Sequence, residues 1–306
     1  VKPERKLLSI NGKSMGSEMT ESALNLLSPA KLNLFLHITG RRPDGYHTIQ
    51  TFFQLLKLGD QMRFASNELG IVRLDCSGLN IAAEDNLAYR AAMSLKSYTG
   101  TTKGADIHID KLLPHGGGLG GGSSNAATTL IALNHLWGCD LGLDQLAKLG
   151  LQLGADVPLF VYGSTAWGEG IGEKLQAIEY QKDSRPNHYL VVKPDCEVST
   201  EQIFSHQQLT RTTSPITIAA FFEHGGCNNC EEVVKQLYPP VRSALKWLNR
   251  FAPAQLTGTG ACIYAAFSSE EQAARVLQQL PENLTGFVTE GIFTSPVHNV
   301  LGISPR

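Results

Sequence analysis

The sequence predicts a mixed fold of helices and strands in two domains, on three observations. Residues 31–38 alternate cleanly, with Leu32, Leu34, Leu36 and Ile38 on one strand face and Lys31, Asn33, Phe35 and His37 on the other. A glycine-dense stretch, residues 116–122, lies between a strand pattern and a helix pattern. From about residue 230 onward, helical and extended patterns alternate. The border between domains is placed in the polar stretch 178–187, which contains Pro186, giving a first domain at 28–180 and a second at 181–306.

The elements follow in order. Arg41 to His47 begins with turn chemistry, and a second strand is expected over 48–56. A helix is predicted over 86–97, with Asp85 as its cap and Gly100 just past its end. A strand over 105–112 leads into Pro114, and after the glycines a helix is expected over 125–137, stopped by Gly138. Another helix begins at about Leu143 and ends near Gly154, and strands are expected at 158–167 and 188–194. Pro239 and Pro240 separate two helical pieces, and Gly260 precedes an apolar strand. Ser268 and Glu271 have capping-box spacing ahead of a helix over 272–280.

Composition narrows the function classes. Apolar residues are 42% of the 306, which supports a buried core and excludes global disorder. Lys and Arg number 26 against 28 Asp and Glu, a net charge of -2 without the basic field of a nucleic-acid binder. No apolar run is long enough to span a bilayer, so no membrane partner is predicted. The N-terminus has no signal-type apolar stretch and carries Glu4, Glu18 and Glu21, so a cytoplasmic location is expected. Residues 1–27 are read as an extension, disordered or foreign to the natural chain, with Met19 as a candidate native start. The cysteines at 76, 139, 196, 227, 230 and 262 are expected as reduced thiols. His224, Cys227 and Cys230 form a short cluster, but an isolated C-x-x-C without a fourth ligand or a second pair predicts no metal site. Nothing in the pattern specifies an oligomer.

The glycine stretch carries the chemistry. All of residues 116–122 except Leu119 are Gly, followed by Ser123, Ser124 and a helix. Such a loop brings backbone N–H groups close to a ligand, and with the free N–H groups of a helix start it forms a phosphate cradle. The two serines add hydroxyls for a phosphate or its Mg²⁺. It is not a Walker loop, because no Lys follows the glycines. Gly116, Gly118 and Gly121 also fit G-x-G-x-x-G, but that pattern matches any glycine run by chance, and the Pro114-His115 entry fits it poorly.

Residues 114–127 (PHGGGLGGGSSNAA) resemble the second signature motif of the GHMP kinases. Residues 28–34 (SPAKLNL) resemble the first motif, and residues 256–262 (LTGTGAC) the third. Residues 42–47 (RPDGYH) and 153–158 (LGADVP) resemble the branch of that superfamily that acts on cytidine-diphosphate-linked methylerythritol. The likeness runs from about residue 28 to 302 with its motifs in order. It implies an α+β, two-domain GHMP kinase-like fold with the active site in the interdomain cleft. It also implies ATP-dependent phosphorylation, with Mg²⁺ carried on the nucleotide, of the substrate's 2-hydroxyl in the non-mevalonate route to isoprenoid precursors.

The resemblance assigns roles residue by residue. Pro114, His115, Gly116, Gly117, Gly118, Leu119, Gly120, Gly121, Gly122, Ser123 and Ser124 are matched to ATP binding. Lys31 is matched to the cleft lysine; by its position alone it is an ordinary strand lysine. Asp156 is matched to the base that accepts or orients the hydroxyl proton; by its position alone it serves equally as a helix N-cap. Asn33, Tyr46, His47, Thr200 and Phe204 are matched to the substrate. Tyr46 and Phe204 would stack on the cytosine and His47 would meet its edge, while Phe204 by itself reads equally as a core side chain.

Overall fold

The computed structural model describes residues 23–78, 81–180 and 186–306. Most of the N-terminal extension therefore lies outside the described residues. Its last residues do not: β1 (Leu24–Arg41) opens at Leu24, paired with Phe64 of β2 (His47–Asn67), and Leu26 is buried. β1 and β2 form a long antiparallel pair whose register slips at Pro29/Lys31, Asn33/Leu36 and Ile38/Gly40. Each slip re-aims the following side chains. The alternation over 31–38 marks a strand covered on both faces, since Leu32 and Phe35 are fully buried and Lys31 is 3% exposed.

β3 (Val72–Ser77) runs parallel to β4 (Gly104–Asp110), and β4 pairs antiparallel with β2. α1 (Leu87–Thr99), α2 (Gly121–Trp137), α3 (Leu143–Leu151) and α4 (Val157–Tyr162) pack with this sheet around a core that includes Leu95, Leu130, Val157 and Phe160. β5 (Ala166–Glu169) and β6 (Lys174–Ala177) complete the first half. The second half contains β7 (His188–Pro194), α5 (Thr200–Ser205), α6 (Ile218–His224), α7 (Glu231–Leu237), α8 (Pro239–Leu248), β8 (Ala254–Leu256), β9 (Ile263–Phe267), α9 (Glu270–Leu277), β10 (Leu284–Ile292) and α10 (Pro296–Leu301). Its strands run β10-β7-β9-β8 over a core that includes Leu190, Ile203, Val234 and Leu245.

The halves share one sheet. β10 joins β2 through Gly291↔Leu56 and Ile292↔Leu55, and Gln54 Nε2 donates to Ile292 O at 3.0 Å. α6 crosses back onto the first half, where Phe221 packs against Phe35 at 4.9 Å and Phe52 at 5.2 Å between ring centroids. We propose 180/181 as the border, because it falls in the connection between β6 and β7.

Several elements depart from expectation. Residues 157–162 form a helix rather than the start of a strand over 158–167, and the strand there is only β5. The run VPLFVY has strand-like residues, but Pro158 sits in the first helical turn, and five of its side chains enter the core, so burial overrides propensity. Asn86, not Asp85, caps α1, its side chain accepting from Ala88 N at 2.9 Å. Ser269, not Ser268, caps α9. The prolines at 239 and 240 form the first turn of α8. Cys230 is buried in the second core, its thiol pushed up to about 12 by desolvation, while Cys227 and His224 are exposed. Among the described residues, no helix is long and apolar enough to cross a membrane.

Candidate active site

The glycine loop is held from both halves of the chain. Lys31 N of β1 donates to Leu119 O at 2.9 Å. From the second half, Ala261 N donates to Gly116 O at 3.3 Å and Cys262 N to Gly117 O at 3.1 Å. Thr257 ties the motifs together: its hydroxyl accepts from Asn33 N at 3.0 Å and donates to Gly118 O at 3.3 Å. Gly118 has φ +74°, and a Cβ there would lie 2.3 Å from Thr257 O, so this crossing admits only glycine.

α2 begins at Gly121, earlier than the expected Asn125. Gly120 is its N-cap with φ +72°, and Ser124 N donates to Gly120 O at 2.8 Å. The amides of Gly121, Gly122 and Ser123 precede that first helical bond and have no intrahelical acceptor. Loop and helix start are thus one array of donors at the positive end of a 17-residue helix. The side chains divide. Ser123 is half-buried beside the turn at Gly154, with its Oγ 3.6 Å from the point a Cβ on Gly154 would occupy. Ser124 is fully buried and accepts from Ser28 Oγ at 2.8 Å, so its hydroxyl faces the interior instead of a phosphate. Leu119 likewise turns its side chain into a core cluster and offers the loop only backbone. Pro114 is half-buried, and His115 is exposed at the loop's entry.

Lys31 and Asp156 come together beside this array. Lys31 Nζ lies 3.2 Å from Asp156 Oδ2, with side-chain exposures of 4% and 31%. The ammonium also donates to Asn33 Oδ1 at 2.7 Å and sits 5.6 Å from the Phe53 ring centroid. Asp156 occupies the N-cap position of α4, yet its side chain makes no capping bond, so the carboxylate is directed to Lys31. Asn33 is 2% exposed, and its Nδ2 donates to Thr51 Oγ1 at 2.9 Å. Each end of that amide makes one bond within the protein, so Asn33 orients Lys31.

Of the remaining sequence-matched residues, His47 and Phe204 meet. His47 opens β2, is 8% exposed and stacks on half-buried Phe204, with ring centroids 5.2 Å apart and planes at 26°. The ring matched to the base's edge and a ring matched to stacking on it therefore touch each other here. Tyr46 stands apart, 61% exposed on a turn closed by Arg42 N donating to Tyr46 O. Thr200 opens α5, and its Oγ1 lies 2.8 Å from Thr259 Oγ1 in the third glycine motif.

Two supports escaped the sequence reading besides Thr257. Arg211 Nε donates to His47 Nε2 at 3.0 Å. Asp60 is fully buried behind the cradle: its Oδ1 accepts from Leu112 N and Leu113 N, each at 2.9 Å, and its Oδ2 from Asn125 Nδ2 at 3.0 Å and from Lys111 Nζ. Asn125 passes the network on to Ser28 Oγ at 3.0 Å and so to Ser124. Its one sequence signal was being the lone acidic residue of β2. Asp60→Ala strips the partner from a nearly buried Lys111 and from two amides. It is expected to cost about 3–5 kcal/mol of stability, read as a lower urea midpoint at unchanged slope.

Comparison with known proteins agrees with this geometry. The profile described as GHMP kinases N terminal domain matches residues 86–164, and that described as GHMP kinases C terminal matches residues 216–286. A protein of Hahella chejuensis named 4-diphosphocytidyl-2-C-methyl-D-erythritol kinase is 50% identical over 294 residues, covering 92% of this chain and 98% of its own. The chain belongs to the 4-diphosphocytidyl-2-C-methyl-D-erythritol kinase family of GHMP kinases. A family member from Marinobacter nauticus is 51% identical over 283 residues, covering 91% of this chain and 97% of its own. A crystal structure of 4-(cytidine 5'-diphospho)-2C-methyl-D-erythritol kinase superposes with TM-score 0.74 at 27% identity, over 88% of this chain and all of that one. A mevalonate kinase structure, at 18% identity and TM-score 0.65 over 88% of this chain and 99% of that one, shares the fold.

Proposed function

We propose that this member of the 4-diphosphocytidyl-2-C-methyl-D-erythritol kinase family transfers the γ-phosphoryl group of ATP to the 2-hydroxyl of its namesake substrate, directly and without a phospho-enzyme. The observation that carries the reading is the Lys31–Asp156 pair at 3.2 Å beside a helix-start donor array. The triphosphate lies along residues 114–124, with its charge on the free amides of Gly121–Ser123. The 2-hydroxyl approaches Asp156, which receives its proton as the new P–O bond forms. Lys31, held by Asn33, steadies the negative charge growing on the attacking oxygen. The cytidine end lies toward Tyr46, His47, Thr200 and Phe204.

The donor set fits a Mg²⁺ that arrives on the nucleotide. Ser123 and the partly exposed Asp156 are the nearby oxygen donors, and Mg²⁺ commonly takes one or two protein oxygens with phosphates and water. When bound, the ion neutralises phosphate charge. ADP formation is the test. The cytidine-linked substrate is expected to support turnover, whereas mevalonate, homoserine and galactose give only background; comparable rates with any of these would overturn the substrate assignment.

A further inference from the structure

One arginine that no signature motif contains controls both aromatic rings at the base end of the cleft. Arg211 lies in the irregular segment between α5 and α6 and is half-buried. Its guanidinium grips the chain after α5, with Nη2 donating to Phe204 O at 2.9 Å and His206 O at 2.7 Å, and Nη1 to Leu209 O at 3.1 Å. Its Nε–H is aimed at His47 Nε2 at 3.0 Å. A guanidinium has no acceptor and does not give up its proton, so this bond requires His47 Nε2 to be bare. The imidazole proton then sits on Nδ1, which has no hydrogen-bond partner among the described residues and is not among the fully enclosed orphan atoms. Burial first, then the charges of Arg211 and Arg41, push the His47 imidazole below its ordinary value, which keeps the ring neutral near pH 7.

We propose that Arg211 is a positioning and specificity-determining residue: by holding the His47 proton on Nδ1, it makes that ring a hydrogen-bond donor toward the pyrimidine's N3. In cytosine N3 is a bare acceptor. In uracil N3 carries hydrogen, so two donors would face each other. The opposite tautomer, with Nδ1 bare, would reverse the preference at this atom. Arg211 touches no substrate in this account; it acts through His47, and through the Phe204 carbonyl it fixes the ring stacked on that imidazole. The inference rests on the reading that the cytidine end binds at His47.

The test has two arms. In full-length wild-type protein labelled at histidine, the ring carbon and nitrogen shifts of His47 are expected to report the neutral Nδ1–H form at pH 7.5; the Nε2–H form would overturn the proposal. In steady-state assays, Arg211→Met is expected to lower the cytidine-over-uridine ratio of kcat/KM about 10-fold, the scale of one hydrogen bond. The change should fall on the KM of the cytidine substrate, with kcat and the KM for ATP near wild type. Arg211→Lys, which keeps a donor, should recover part of the ratio. If Arg211→Met weakens both substrates equally, the arginine merely braces the loop and the proposal falls. A wild-type enzyme that uses both bases equally overturns the cytidine reading itself, and this inference with it.

Discussion

Asp156→Asn is expected to lower kcat by ~10²- to 10⁴-fold at saturating ATP and substrate. The substitution preserves shape and hydrogen-bonding capacity and removes charge and basicity. The carboxylate makes no capping bond to α4, so the stability cost should come only from weakening its pair with the buried Lys31, whose Asn33 partner remains. Lys31→Met is expected to reduce kcat on a similar scale while keeping an unbranched apolar stem at a buried position. The two losses should not multiply, because in the proposed reaction both groups serve one oxygen, and each holds the other at 3.2 Å. Rapid-quench measurement of the chemical step in each single variant and in the double variant checks this. Near-normal turnover by Asp156→Asn would remove the base role and leave Asp156 as the partner that orients Lys31.

Gly120→Val is expected to weaken ATP binding by more than ~100-fold. Gly120 has φ +72°, where a side chain costs ~1–2 kcal/mol. A Cβ there would also lie 2.9 Å from Phe160 Cζ and 3.1 Å from Lys31 Cε, so the loop must withdraw from the position in which its amides converge. Gly138→Ala is the matching control. Gly138 has φ +67° at the far end of the same helix, with open space around it. It should lose stability by about the same strain and bind ATP normally. Titration calorimetry with both variants separates the collision from the backbone cost; tight ATP binding by Gly120→Val would remove the loop from the nucleotide site.

Much of this was legible in the chain because its signals are local. The alternation at 31–38 and the Gly100 and Gly138 helix stops act within a few residues and lie where the pattern placed them, and the glycines at 116–122 do so except that the last two already belong to α2. The family motifs put Lys31 and Asp156 in one site, which spacing alone could not do across 125 positions of sequence. What stayed hidden depends on contacts between distant segments. Ser124 was matched to the nucleotide along with its neighbours in the motif, and its buried bond from Ser28, brought in by β1, was not visible there. Residues 157–162 looked like a strand because a local pattern cannot show that the core surrounds them. Asp60 and Arg211 carry no motif; their meaning lies in partners 52 and 164 positions away.

The backing of the glycine loop by Ala261 and Cys262 also sets an order of events at the ribosome. The loop emerges first, and the segment that holds Gly116 and Gly117 in place follows 145 residues later, from 116 to 261 and from 117 to 262. At typical elongation rates the interval is on the order of ten seconds. Throughout it the loop has its brace from Lys31 but lacks those from Ala261 and Cys262. A ligand held by the completed loop would, by mass action, favour the chain in which these two distant segments are folded together.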